Sequence, residues 1–127
     1  MQMSAMFTDE QVMIRDMAQK FARDQLLPHS DAWDRDSHFP VDVIKRTAEL
    51  GFAGIYVKDD VGGSGLTRTD AALIFEQLAY GDVSTAAFIS IHNMASWMID
   101  TFGSDALRQK WVPRLTSMEL IASYCLT

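Results

Sequence analysis

Gly62-Gly63-Ser64-Gly65 is the run in this 127-residue chain where backbone N–H groups could crowd against a phosphate or a dinucleotide. Its spacing fits neither familiar cradle: no Lys-Ser/Thr pair follows the last glycine, and no strand with a GxGxxG period precedes it. A structural turn that uses glycine's freedom at positive φ is expected instead. The three histidines, His29, His38 and His92, are too dispersed for a metal motif, and no metal ligand set is assigned. His92 falls in a long apolar stretch, where an unpartnered imidazole would cost about 1–3 kcal/mol, so a core histidine with hydrogen-bonded ring nitrogens is expected. The single cysteine, Cys125, has no neighbouring base to make a thiolate and reads as a buried strand cysteine. No residue of the chain is assigned a catalytic role.

Ala86, Ser90, Asn93, Met94 and Trp97 repeat at i, i+4, i+7, i+8 and i+11, and so share one helical face of mostly small side chains. Two readings stay open. Small residues serve tight helix packing, and they also leave room for one wall of an apolar cavity, with Met94 as a pliable liner.

The elements that would carry these residues are helices. Thr8 and Gln11 form a capping box ahead of Ile14, Met17, Ala18 and Phe21, giving a first helix that reaches about residue 26 and ends at Pro28. Residues 29–39 read as a polar connection pinned by Trp33. Pro40 suits the first turn of a second helix with Val43, Ile44, Thr47 and Leu50 inward and Gly51 as its left-handed stop. A third helix starts near Thr67 or Thr69 and ends at Gly81. The fourth, about residues 83–102, is apolar around most of its circumference and belongs in the middle of a bundle. Gly103 stops it, Ser104 caps a fifth helix with Leu107 and Trp111, and Pro113 breaks or kinks that helix. Only residues 122–127, β-prone and aromatic, read as a strand, and they have no partner, so the chain looks cut at the entry to a β domain. The fold class is therefore all-α, a helical bundle ending in the first strand of a missing β domain.

Composition narrows the function classes. About half the residues are apolar (48%), enough for a core without a staple, and net charge is −6 with scattered Lys and Arg, which argues against nucleic acid. Residues 83–99 carry no charge but are interrupted by Ser84, Thr85, Ser90, His92, Asn93 and Ser96, so no membrane span is expected. The start, Met1-Gln2-Met3-Ser4-Ala5-Met6, has no basic region or long apolar core, and carries neither an export nor a transit signal. A reducing, cytoplasmic location is expected, or the mitochondrial matrix for a processed form.

The order of a capped first helix, the Gly-Gly-Ser-Gly-Leu turn, Leu78-Ala79-Tyr80-Gly81, a central helix with His92-Asn93, then Pro113 and Tyr124-Cys125-Leu126-Thr127 resembles the acyl-CoA dehydrogenase family. The likeness covers essentially the whole chain, as that family's N-terminal helical domain (residues 1–118) and the start of its middle β domain (119–127). It implies FAD-dependent α,β-dehydrogenation of an acyl-CoA thioester: a base takes the α-proton, and a hydride leaves the β-carbon for the flavin. That base is a glutamate of a C-terminal helical domain outside this chain. Electrons would pass to electron transfer flavoprotein, and the longer parent would be a homotetramer.

By the same resemblance, Tyr124, Leu126 and Thr127 match the start of the flavin-contacting segment, with Cys125 in the pattern but without a catalytic duty. Ala86, Ser90 and Met94 lie where the family lines the acyl end of the substrate cavity. Ile89-Ser90-Ile91-His92-Asn93-Met94, Trp97-Met98-Ile99-Asp100, Met118-Glu119 and residues 122–127 look most like members acting on a short branched acyl-CoA such as isobutyryl-CoA, from valine breakdown. Two alternatives are a helical interaction module without activity and a related acyl-CoA oxidase or flavin monooxygenase.

Overall fold

Each long helix starts where a side chain can take up the free N–H groups of its first turn. In the computed structural model, which describes residues 6–127, Thr8 and Gln11 form the expected box: the Gln11 N–H donates to Thr8 Oγ1 at 3.1 Å and the Thr8 N–H to Gln11 Oε1 at 3.0 Å. Residues 1–5, read above as part of a start without a targeting signal, lie outside the described residues. Helix α1 (Asp9–Phe21) follows. Helix α4 (Arg68–Gly81) starts with a second box between Thr67 and Asp70, α5 (Val83–Phe102) with Asp82, and α6 (Asp105–Thr116) with Ser104.

Four local expectations need correction. Pro28 does not end the first helical run: the backbone widens to a π-turn at Ala22–Leu26, where the Leu27 N–H reaches back five residues to the Ala22 carbonyl, and tightens to a 3₁₀ turn at Leu27–His29. This rewiring accommodates a residue without an N–H, and the chain re-enters helix as α2 (Ser30–Arg35). The predicted polar connection at 29–39 is thus partly helical. Of the two effects expected of Pro113, a break or a kink, the break does not occur: the residue sits inside α6, which continues to Thr116. It removes one hydrogen bond near the helix end, while buried Val112 and Leu115 hold both sides. Residues 121–127 carry no strand, because a strand needs partners for its backbone groups and the described residues offer none.

The second predicted helix is α3 (Val41–Arg46), extended by a 3₁₀ turn at Thr47–Leu50 that ends at Gly51 with φ 79°. Helix α1 packs on α4, α4 on α5, and α5 on α6. Ile14, Ala18, Leu26, Ile44, Phe52, Ile74, Leu78 and Ile89 form the main core, and Val57, Val61 and Val112 a smaller one under the 52–66 loop. The architecture is a helical bundle in which α5 packs between α4 and α6, but the expectation that its apolar circumference puts it in the interior needs correction: one face is buried, by Thr85, Ala86, Ile89, His92, Asn93, Ser96 and Asp100, while Val83, Phe88 and Phe102 are exposed on the other.

Candidate functional site

The glycine-rich run is turned inward. The Gly63 N–H donates to Lys58 O, Ser64 to Gly54 O, Gly65 to Val57 O and Leu66 to Ile55 O, at 2.8–3.0 Å. Those donors are spent within the loop and are not aimed at a ligand. Gly63 is required by space: a Cβ there would stand 2.1 Å from the Val57 carbonyl oxygen. The predicted structural turn stands.

The concave feature that adjoins the chain's last residues is a groove of about 620 Å³ between the first half of α5 and residues 121–124, lined by Phe39, Ala87, Phe88, Ile91, Ile121 and Tyr124 among others. Phe39 and Phe88 meet edge to face with centroids 4.6 Å apart and form its wall. Ser84, Ala87, Phe88 and Ile91 recur at i, i+3, i+4 and i+7, so the groove runs along one stripe of α5. At the head of that helix, Asp82 accepts from Ser30 Oγ at 2.6 Å and from both the hydroxyl and the backbone N–H of Thr85. Burial alone would raise the Asp82 pKa, but these donors hold it below the ordinary carboxylate value.

His92 is fully buried and uses both ring nitrogens. The Ala122 N–H donates to Nδ1 at 3.0 Å, so Nδ1 is the unprotonated nitrogen and Nε2–H donates to the Leu115 carbonyl at 2.9 Å. Burial lowers its pKa and keeps the ring neutral, outweighing the opposite pull of its backbone partners. The predicted core histidine is thereby accounted for. Ile121 packs against the main core, whereas residues 123–127 are exposed. Cys125 is exposed too, a correction to the expected buried cysteine, because no described element covers it. Among the described residues no hydrogen bond engages the peptide groups of residues 123–127.

The acyl-CoA dehydrogenase N-terminal domain model matches residues 8–119. The chain belongs to the acyl-CoA dehydrogenase family. It is 54% identical over 120 residues to the mitochondrial isobutyryl-CoA dehydrogenase of Dictyostelium discoideum and 49% to that of Bos taurus, in each case over 94% of this chain and 29% of the relative. The crystal structure of glutaryl-CoA dehydrogenase from Mycobacterium smegmatis superposes with a TM-score of 0.88 at 26% identity, over 94% of this chain and 31% of that one. The chain therefore spans under a third of the length of the relatives it matches.

The acyl-CoA dehydrogenase residues singled out from sequence fall into two places. Tyr124, Cys125, Leu126 and Thr127 lie on the exposed strip that runs on from the groove, whose end Tyr124 lines, and there free peptide N–H and C=O groups and a hydroxyl are the donors and acceptors that hydrogen bonds to an isoalloxazine ring would use. The groups present on this strip thus fit an isoalloxazine ring. Ala86, Ser90 and Met94 lie on an adjoining face of α5 and do not line the groove: Ala86 is in the main core, the Ser90 hydroxyl donates to Ala87 O at 2.9 Å, and Met94 is half-buried. Asn93 points inward, where its amide serves backbone groups. Sequence reasoning missed Phe39, Ala87, Phe88 and Ile91: the spacing of the last three with Ser84 puts them on one stripe of α5, but nothing local pairs that stripe with Phe39. Among the described residues no group of three or more His, Cys, Asp or Glu could hold a metal, and no helix is long and apolar enough to cross a membrane.

Proposed function

We propose that this chain is the N-terminal helical part of an enzyme that removes hydrogen from Cα and Cβ of a short branched acyl-CoA, isobutyryl-CoA, with residues 119–127 leading into a middle β domain. The observation that carries this is the near-half or better identity to two isobutyryl-CoA dehydrogenases across nearly the whole chain. Tyr124, Leu126 and Thr127 would hold one edge of FAD through peptide groups and the threonine hydroxyl. FAD bound there supplies the acceptor for the hydride leaving the substrate's β-carbon.

The chain's own contribution is placement. Helix α5 would present Ser90 and Met94 toward the acyl end, with Ala86 packed in the core behind them, and its groove stripe would bring apolar surface beside the flavin strip, which excludes water from the reacting carbons. The base that takes the α-proton lies outside this chain, and none of its carboxylates is assigned that role. Electron transfer flavoprotein is the proposed electron acceptor and a homotetramer the proposed assembly; the mitochondrial matrix is the proposed location, the two relatives being named as mitochondrial.

The test uses the reading frame carried to the relatives' length. Anaerobic isobutyryl-CoA is expected to bleach the bound flavin, and electron transfer flavoprotein to reoxidise it faster than oxygen does. Rapid reoxidation by oxygen would instead favour an oxidase or monooxygenase, and a protein that retains no flavin would favour the interaction module.

A further inference from the structure

The last backbone ties before the exposed strip 123–127 are Leu120 N–H to Arg114 O at 3.0 Å and Ala122 N–H to His92 Nδ1 at 3.0 Å. The first belongs to the turn that closes α6. The second crosses thirty residues to the middle of the central helix. The same imidazole grips the end of α6 through Leu115 O, and the Ser96 hydroxyl caps the His92 carbonyl at 2.8 Å. One rigid, fully buried ring thus bridges three parts of the chain: α5, the last turn of α6, and the residue two positions ahead of Tyr124.

We infer that His92 is a positioning residue, a neutral pin whose Nδ1 sets where residues 122–124 leave α5 and hence where the strip beyond them meets its ligand. The neutral ring suits this task because it holds an acceptor, Nδ1, and a donor, Nε2–H, on one rigid plane and directs them to opposite sides. Its importance for the flavin rests on the reading proposed above, whereas the pin itself is a property of this chain.

Two substitutions separate the two halves of the bridge. In His92→Asn the side-chain oxygen sits one bond from Cγ, as Nδ1 does, so the Ala122 N–H keeps an acceptor while Leu115 O loses its donor. In His92→Gln the longer amide reaches the place of Nε2, so the opposite holds. Amide hydrogen exchange at Ala122 is expected to quicken about tenfold in His92→Gln, the scale of one lost hydrogen bond, and to stay within about threefold in His92→Asn. Equal quickening in both variants would reduce His92 to a generic core residue and overturn the pin.

Should His92→Gln fail to fold, the unmodified protein still decides, because ¹⁵N spectra of its ring must show Nδ1 unprotonated and Nε2 protonated at neutral pH. The reverse tautomer overturns the inference. In the relatives'-length protein, FAD binding is expected to weaken about tenfold in His92→Gln and little in His92→Asn, in step with the amide. If the Ala122 amide responds and FAD binding does not, the pin stands and the flavin assignment of residues 124–127 falls.

Discussion

Replacing Asn93 with Ala tests how the irregular 52–66 segment is held on α5. Asn93 is fully buried, accepts the Ile55 N–H on Oδ1 at 2.8 Å, and donates from Nδ2 to Phe52 O at 2.7 Å and Ile89 O at 2.9 Å. Ile89 O keeps its helical partner when the amide is lost, so the substitution strands two buried backbone groups, Ile55 N–H and Phe52 O. At about 1–3 kcal/mol each, the expected loss is about 2–6 kcal/mol, a large share of the roughly 5–15 kcal/mol typical of a whole domain. With an m-value near 2 kcal/mol/M, the urea midpoint should fall by about 1–3 M at constant m. Ser96→Ala is the control, because its hydroxyl donates to the already bonded carbonyl of His92 and its removal strands nothing; it should cost under about 1 kcal/mol. An Asn93→Ala midpoint no lower than that of Ser96→Ala would refute the reasoning.

Three further outcomes are expected. Asp100→Ala removes the carboxylate that accepts the Lys58 N–H at 3.0 Å and pairs with Arg108 at 2.8 Å, so chemical unfolding should register at least about 1–3 kcal/mol of lost stability for the stranded N–H alone. Because burial lowers the His92 pKa, the unfolded chain binds its proton first as pH falls: the His92 contribution is fully present above about pH 6.5 and is lost on acidification toward the folded value. Urea titrations from pH 8 to 5 should show that slope in the wild type and a shallower one in His92→Gln. Enlarging Ser90 to Phe in the relatives'-length enzyme should depress kcat/KM for branched or longer acyl-CoAs more than for the shortest, and an unchanged substrate ranking would remove Ser90 from the pocket.

The helices were legible where local rules decide them. Thr8 with Gln11, and Gly51, each act within a turn or two of chain, and the bounds predicted for α5 coincide with those observed. The prolines were misread because their effect depends on what surrounds them. Pro28 is absorbed by a π-turn five residues long, and Pro113 by two buried neighbours, and neither compensation has a sequence signature of its own. The groove was not legible as a site because Phe39 lies some fifty residues from Phe88, and only the tertiary fold brings the two rings together. Cys125 was misplaced for a related reason: a strand's burial is set by elements that pack on it, and none does so here among the described residues.

The polar residues on the buried face of α5 share one task that hydropathy alone would not suggest. His92, Asn93 and Asp100 all send side chains off their own helix to backbone groups elsewhere: Leu115 and Ala122, Phe52 and Ile55, and Lys58. No buried side-chain nitrogen or oxygen among the described residues lacks a partner. A purely apolar helix could bury these segments but could not fix their register, since dispersion and the hydrophobic effect carry no direction. Directional partners at 92, 93 and 100 tie the loop at 52–58 and the strip at 122 to one rigid rod. The irregular parts of the chain, which carry the groove and the proposed flavin contacts, are thereby located by the most regular part of it.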